Sequence, residues 1–511
     1  MDFYEELERL GVQDILNHAE YANPDYVNWK RVNEFLLDIV NASEAGNSAK
    51  VLVYGDYDVD GLMCAKIMED GLRSLGVVKL DVYHYTQRTH NLDTLAVQQA
   101  ILGRYDYMIV CDTGSSGMEL LHRMTTRGIK VIVLDHHVTT YTYEDFDDPN
   151  LAIINTQLEN AELGEKRYEL SAGALCYTVM RKFCEENDLA VNHALVAYGT
   201  VSLYSDCMNM ANALNRSIYY EAKKLQSEQL PHLVKLFLNQ YSSFGARYIG
   251  FWFSPRINSL FRSENFDLLN KLVFDNPSFN VEVELCELVE EIYSNTRDTI
   301  AEIVDIIEVA EYDHFVVGDL QSVEEYYNID KYKLYNYTGL VANMLSEKYG
   351  KACVVYCPSG GSEIKGSLRD FFSRDYLSLF MHFCNAGGHA SAFGFHIGAF
   401  DLDNFLNNLR YIGKYFPMDD IKEPMILTMT GLTPDNILIE DIAMYNEFSG
   451  QGLPVAYIKK QIIGSMREVR TKYNYKYRWG DYVIQSSHHL NFGTYALLKP
   501  IKSLHTKLLV Q

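Results

Sequence analysis

Apolar and polar positions follow two rhythms along this chain. Short apolar runs at Val51–Tyr54, Leu80–Tyr85, Tyr107–Cys111 and Lys130–Leu134 read as strands. Between them, apolar residues at helical spacing predict helices over Leu62–Leu75, Leu92–Leu102 and Met118–Arg127. Strands that alternate with helices predict an α/β fold with a parallel sheet. Upstream, residues 3 to about 45 predict two amphipathic helices broken at Asn23-Pro24-Asp25. From about Leu170 to Tyr312 the pattern is mainly helical, and Val281–Glu311 suits one long, acidic connecting helix. A second, smaller α/β pattern follows. Phe315–Val317 and Lys351–Cys357 read as strands, Ser359–Ser362 as a hairpin turn into Glu363–Leu368, and Gly387-Gly388-His389 precedes a strand ending near Ile397. From about Pro424, short strands plus a helix predict a small β domain resembling a barrel. The expected divisions are a helical segment 1–45, a parallel-sheet domain 46–280, a connecting helix 281–312, a smaller α/β domain 313–420 and a small β domain 421–511.

Composition narrows the picture. A chain of 511 residues can bury two or three cores. Its nine cysteines include no CxxC pair, which favours reduced thiols over a disulfide framework or a zinc site. The N-terminus lacks the basic start and apolar core of a signal peptide, and no apolar run reaches the length of a membrane span. The expectation is a cytoplasmic protein with no membrane partner. The net charge of −23 argues against a nucleic-acid partner. Its distribution reverses that argument: Val455–Gln511 holds ten Lys or Arg and two acids, so a +8 tail follows a body of −31.

The candidate chemistry sits where the strands stop. Val51–Tyr54 leads to Asp56, Asp58, Asp60 and Gly61; Tyr107–Cys111 to Asp112 and Gly114; Lys130–Leu134 to Asp135, His136 and His137. In a parallel sheet these ends open on one edge, so Asp56, Asp58, Asp60, Asp112, His136 and His137 are expected to converge. Downstream, Asp206 closes a helical run. Clustered carboxylates need a cation, and carboxylates with imidazoles suit Mn²⁺, with Mg²⁺, Zn²⁺ or Co²⁺ as weaker candidates. Several acids suggest two ions about 3.5–4 Å apart with one acid bridging them. A calcium loop would need a Glu at its end, which is missing. In the tail, Arg470, Lys472, Lys476 and Arg478 interleave with Tyr473, Tyr475, Tyr477 and Trp479. On a strand the aromatics share one face, where they could stack on bases or pack on a small core; both readings stay open.

These motifs, in this order, resemble the DHH phosphoesterase superfamily, and more closely its RecJ-type single-strand-specific exonucleases. The resemblance rests on DxDxDG at 56–61, Asp-x-Gly at 112–114, Asp-His-His at 135–137, Ser-Ala-Gly-Ala at 171–174 and Asp206. Lys365-Gly-Ser367-Leu-Arg369 and Gly387-Gly-His389-Ala add a likeness to the DHHA1 domain. It implies two Mn²⁺ or Mg²⁺ ions held by Asp58, Asp60, Asp112 as the bridge, His136 and Asp206, with Asp56 as a ligand or supporting partner. His137, Asp112 and Arg369 would be catalytic. Arg88, Ser367, Arg369 and His389 would hold substrate phosphate. Tyr475, Tyr477 and Arg478 would contact substrate on an oligonucleotide-binding (OB-like) C-terminal domain. The implied activity is 5′→3′ hydrolysis of single-stranded DNA to mononucleotides. RNA, short oligonucleotides or cyclic dinucleotides are alternative substrates, and a non-catalytic replication scaffold is a third reading. The chain departs from the pattern in three places. Thr113 stands where RecJ proteins commonly have Asn. Gly199-Thr200 lies further from Asp206 than is usual. His90-Asn-Leu-Asp93 replaces a glycine-rich stretch.

Overall fold

The computed structural model describes residues 2–510 apart from 18, 47–48, 87–91, 166, 239–242, 324–333, 361, 372–373, 390, 413–424, 430–433, 450–452, 463–465, 471–474, 487–488, 492 and 502–506. The chain divides into two compact units, one of residues 18–208 and 212–293, the other of 1–17, 209–211 and 294–511.

In the first unit, β1 (Val51–Gly55), β2 (Leu80–Val82), β3 (Tyr107–Cys111), β4 (Lys130–Asp135) and β5 (Leu151–Asn155) form one parallel sheet in the order β2-β1-β3-β4-β5. Every residue of β1, β3 and β5 is buried, which is why these strands read as unbroken apolar runs. The fifth strand was not expected, although Leu151–Ile154 is as apolar as its neighbours. Registers pair Gly55 with Cys111, Cys111 with Leu134, and Asp135 with Asn155, so the strands end together along one edge.

The second unit holds two sheets. In the first, β6 (Glu308–Glu311), β7 (Phe315–Asp319), β8 (Ala352–Gly360), β9 (Glu363–Asp370), β10 (Asn385–His389) and β11 (Ala392–Gly398) take the order β10-β11-β9-β8-β7-β6. Alternation along β8 feeds two cores: Ala352, Val354 and Tyr356 join Phe380 and Phe395, while Cys353, Val355 and Cys357 join Val341 and Leu345. The second sheet is the small β domain. It comprises β12 (Met425–Met429), β13 (Ala456–Gln461), β14 (Arg467–Arg470), β15 (Tyr475–Trp479), β16 (Tyr482–Ser486), β17 (Tyr495–Ile501) and β18 (Lys507–Val510), in the order β12-β13-β17-β18-β16-β15-β14. The helix Asn436–Phe448 accompanies it.

Some boundaries differ from the sequence reading. The connecting helix runs Phe279–Ile306 and its expected last residues form β6 instead. The N-terminal segment divides between the units. Phe3–Arg9 docks on Asn436–Phe448 through an edge contact of Phe3 with Tyr445 and a 2.6 Å hydrogen bond from Tyr4 to Asp441. Trp29–Glu44 packs on the parallel sheet. All nine cysteines are free thiols. Among the described residues no helix is long and apolar enough to cross a membrane.

Candidate metal centre

The edge where β1, β3, β4 and β5 end carries the acids and imidazoles. After Gly55 the chain turns at Asp56, and the next helix begins at Val59, three residues before the predicted start. Asp58 is its N-cap: its side chain accepts from Gly61 N at 3.1 Å. This turn requires glycine for close approach, since a Cβ at Gly61 would lie 2.3 Å from Asp56 backbone atoms. Asp60 falls in the first helical turn and points into the protein. Asp112 follows β3 with a φ of 61°, a left-handed conformation that non-glycine residues adopt rarely and that here turns the carboxylate into the cluster.

Asp135 organises the opposite side. Fully buried at the end of β4, it accepts from Ser115 N at 3.1 Å, His136 N at 2.7 Å and His137 N at 3.1 Å, and holds His137 Nδ1 at 2.8 Å. Asn155, from the unexpected β5, donates to Ser115 Oγ and to His137 O. Both residues were missed as site residues. The repeated rule of an apolar run closed by one polar residue would have flagged each.

His136 Nε2 is the hub, 3.3 Å from Asp112 Oδ1, 3.6 Å from Asp206 Oδ2 and 3.9 Å from Asp60 Oδ2. Two sets of possible ligand atoms lie within 4.8 Å of one another: Asp112, His136 and His137, and Asp60, His136 and Asp206. Asp206, at the end of the helix Leu195–Ser205, is thus brought to the cluster despite its unusual spacing. Asp56 and Asp58 lie beside these sets without joining them. A pocket of about 200 Å³ opens here, lined by Tyr57, Asp58, Asp206, Asn258, Phe261 and Arg262.

Electrostatics favour a cation. Burial first, and then neighbouring carboxylates, raise the pKa values of Asp56, Asp60 and Asp112 well above the carboxylate range. Asp56 Oδ1 and Asp112 Oδ1 are buried and make no hydrogen bond. Partial burial pulls the His137 imidazolium down, but the hydrogen bond and charge of Asp135, with Asp206 and Asp56 behind it, lift its pKa to about 9. Orphaned buried oxygens beside an imidazole form a donor set that fits a divalent ion such as Mn²⁺ or Mg²⁺. A pH dependence follows. Raised folded-state values mean stability that is present below the ordinary pKa values and lost as pH rises through the raised ones. The melting temperature of metal-free protein is therefore expected to fall between about pH 4 and pH 9. Mn²⁺ should restore more of it at pH 8 than at pH 5, because binding displaces protons. Differential scanning fluorimetry with and without chelator measures both.

The other expected site residues lie in the second unit. Ser367 and Arg369 stand on β9 beside the start of the helix Thr338–Tyr349. Ser367 Oγ is 2.9 Å from Thr338 Oγ1, and Arg369 donates to Leu368 O at 2.7 Å. The Arg369 guanidinium packs over Gly339, where a Cβ would lie 2.8 Å from Nη2. His389 ends β10, and its side chain lies outside the described residues, as does all of Arg88.

The aromatic reading of the tail is corrected. Tyr477 and Trp479 are buried, and Tyr477 Oη accepts from Leu490 N at 2.8 Å, so Tyr477 cannot stack on a base. It belongs to the core face with Ile484, Leu498 and Leu508. Tyr475, on the same face, is half-buried. The opposite face is open and cationic. Registers join Lys476 to Gln485, Gln485 to Leu509, Leu509 to Lys499, and Leu497 to Lys459, which puts Lys459, Lys476, Arg478 and Lys499 on one side. Lys459, Lys476 and Arg478 are exposed, and no acid occupies this face in β13, β15, β16 or β17 among the described residues.

Comparison with known proteins shows likenesses in sequence and in fold. Residues 50–200 match the DHH family, N-terminal domain. This stretch resembles a DHH domain. The chain is 25% identical over 404 residues to the single-stranded-DNA-specific exonuclease RecJ of Salmonella typhimurium, covering 72% of this chain and 66% of that protein. It is 27% identical over 391 residues to a putative single-strand DNA-specific exonuclease of Bacillus phage SPbeta, covering 69% and 63%. The chain thus spans just under two thirds of the length of these curated relatives. Its fold matches RecJ from Thermus thermophilus in complex with Mn²⁺ with a TM-score of 0.70 at 16% identity, over 99% of this chain and 74% of that one. RecJ from the same organism in complex with Mg²⁺ matches with a TM-score of 0.65 at 15% identity, over 99% and 73%.

Proposed function

We propose that this DHH protein is a metal-dependent 5′→3′ exonuclease that hydrolyses single-stranded DNA to mononucleotides with two divalent ions. The observation that carries the reading is the convergence of Asp60, Asp112, His136, His137 and Asp206 at one sheet edge. The names of its relatives supply the substrate class and, through the family resemblance, the direction.

Asp58, Asp60, Asp112, His136 and Asp206 would hold the metal, with Asp56 in support. Bound Mn²⁺ or Mg²⁺ supplies Lewis acidity toward phosphoryl oxygens and lowers the pKa of water. The chain's own groups do the rest. His137, kept cationic near neutral pH by Asp135, donates from Nε2 to a non-bridging oxygen of the scissile phosphate. Arg369 suits bidentate capture of a phosphate, and Ser367 adds a hydroxyl donor beside it. Arg88 and His389 take phosphate-binding roles by resemblance. The cationic face of the small β domain tracks the backbone of the trailing strand without reading bases.

The acidic body of the chain favours a second reading, a phosphodiesterase of short oligonucleotides or cyclic dinucleotides. Comparing kcat/KM in Mn²⁺ for a single-stranded DNA, its duplex, the matching RNA and a dinucleotide separates the two. The exonuclease reading expects the single strand to be preferred over the dinucleotide by at least about tenfold, about 1.4 kcal/mol of transition-state binding from remote nucleotides. Equal or better use of the dinucleotide would contradict it.

A further inference from the structure

Asp60 is held on both carboxylate oxygens by protein donors. Its Oδ2 accepts from Ala172 N at 2.9 Å. Its Oδ1 accepts from Gly173 N at 2.8 Å and from the Ser202 hydroxyl. Cys64 Sγ, one helical turn along from Asp60, is 3.9 Å from the same oxygen. Ser202 is fully buried in the helix Leu195–Ser205, and its Oγ lies 2.5 Å from Ser171 Oγ. Ser171 is the N-cap of the helix Ala172–Glu186 and accepts from Ala174 N, so its own proton can go to Ser202 and that of Ser202 to Asp60. The packing leaves no slack. A Cβ at Gly173 would lie 2.6 Å from Ser202 Oγ and 3.1 Å from Asp60 Oδ1.

The two oxygens of Asp60 are therefore unequal. Oδ1 is taken up by protein donors. Oδ2 keeps one amide and stands 3.9 Å from His136 Nε2. We infer that Ser202, fixed by Ser171, is a positioning residue that holds Asp60 Oδ1 inside the protein and presents Oδ2 as the one ligating oxygen of that carboxylate. The inference rests on the reading of the cluster as a divalent-metal centre. It assigns a role to two buried serines that touch no substrate. It also explains why Gly173 is the second residue of the helix that faces Asp60: a Cβ there would crowd both the Ser202 hydroxyl and the carboxylate. Without the Ser202 hydroxyl, Asp60 is held by its two amide donors alone, and the ligand geometry is less firmly set before the ion arrives.

The test is Mn²⁺ affinity of the full chain, followed by electron paramagnetic resonance of the free ion, for wild type and Ser202→Ala. The variant removes one oxygen from a helical position, and its metal-free melting temperature is the control for folding. The expected result is a Kd for Mn²⁺ raised about 10–100-fold, with a melting temperature within a few degrees of wild type and a nuclease rate that saturating Mn²⁺ restores. A wild-type Kd in the variant would overturn the inference, and so would a rate deficit that saturating Mn²⁺ leaves in place. If the expected Kd difference appears but neither protein cuts single strands, the positioning role stands and the exonuclease reading fails. If wild type takes up no Mn²⁺, both fall.

Discussion

Asp112→Asn is expected to lower strand hydrolysis by about 10³-fold or more while leaving the protein folded. The size follows from the several kcal/mol of charge stabilisation that a correctly held ion supplies, at about 1.4 kcal/mol per decade. Asp112 Oδ1 is buried, makes no hydrogen bond and lies 3.3 Å from His136 Nε2, so it is an oxygen with no protein donor to satisfy it. Asn is the informative substitution. It keeps the shape, and it tolerates the left-handed φ of 61° that would strain an alanine. It also removes a carboxylate whose pKa is raised by burial and by Asp60, Asp58 and Asp56. The metal-free variant should therefore melt higher than wild type, by about 2–4 °C for each kcal/mol of repulsion relieved. Lost activity with gained stability is the signature of a residue kept for metal binding. Rates on a labelled single strand and melting curves in chelator measure the two halves.

The second large effect concerns the open face of the small β domain. Replacing Lys459, Lys476, Arg478 and Lys499 together by alanine is expected to weaken single-strand binding about 10²–10³-fold at 0.1 M salt. The slope of log K against log salt should become shallower by about 3, at about 0.7 per phosphate contact on a single strand. Loss of affinity should not depend on base sequence, because the aromatic face that would read bases is buried under the sheet. Filter binding in the Asp112→Asn background, across a salt series, measures both. Hydrolysis of a dinucleotide should be untouched by the quadruple substitution if the face serves only the trailing strand.

What the sequence made legible was whatever has a local cause. Runs such as Val51–Tyr54 and Tyr107–Cys111 are apolar at every position because parallel strands are covered on both sides, and such strands end at a common edge. That was enough to converge Asp60, Asp112, His136 and His137, and the family pattern was enough to add Asp206. Contacts made across the fold were not legible. Asp135 looked like one more strand-end acid: its bonds to His136 and His137 are local, but the one from Ser115 exists only once β3 and β4 are side by side. Ser202 and Ser171 are 31 residues apart and meet only where two helices pack. Alternation in Tyr475–Trp479 correctly separated an aromatic face from a cationic one, but not which face meets solvent. That is decided by the core of the sheet, which claims Tyr477 and Trp479 and leaves Lys476 and Arg478 outside.

On the proposed function, the cluster around His136 cuts single-stranded DNA from its 5′ end. The most direct measurement is a time course on one oligonucleotide labelled in parallel at its 5′ or its 3′ terminus, incubated with the full chain and Mn²⁺, with Asp112→Asn alongside. The account predicts early release of the 5′ label as a mononucleotide, a ladder of shortening 3′-labelled strands, and no product from the variant. An intact strand with wild type, or equal cutting by Asp112→Asn, would contradict it.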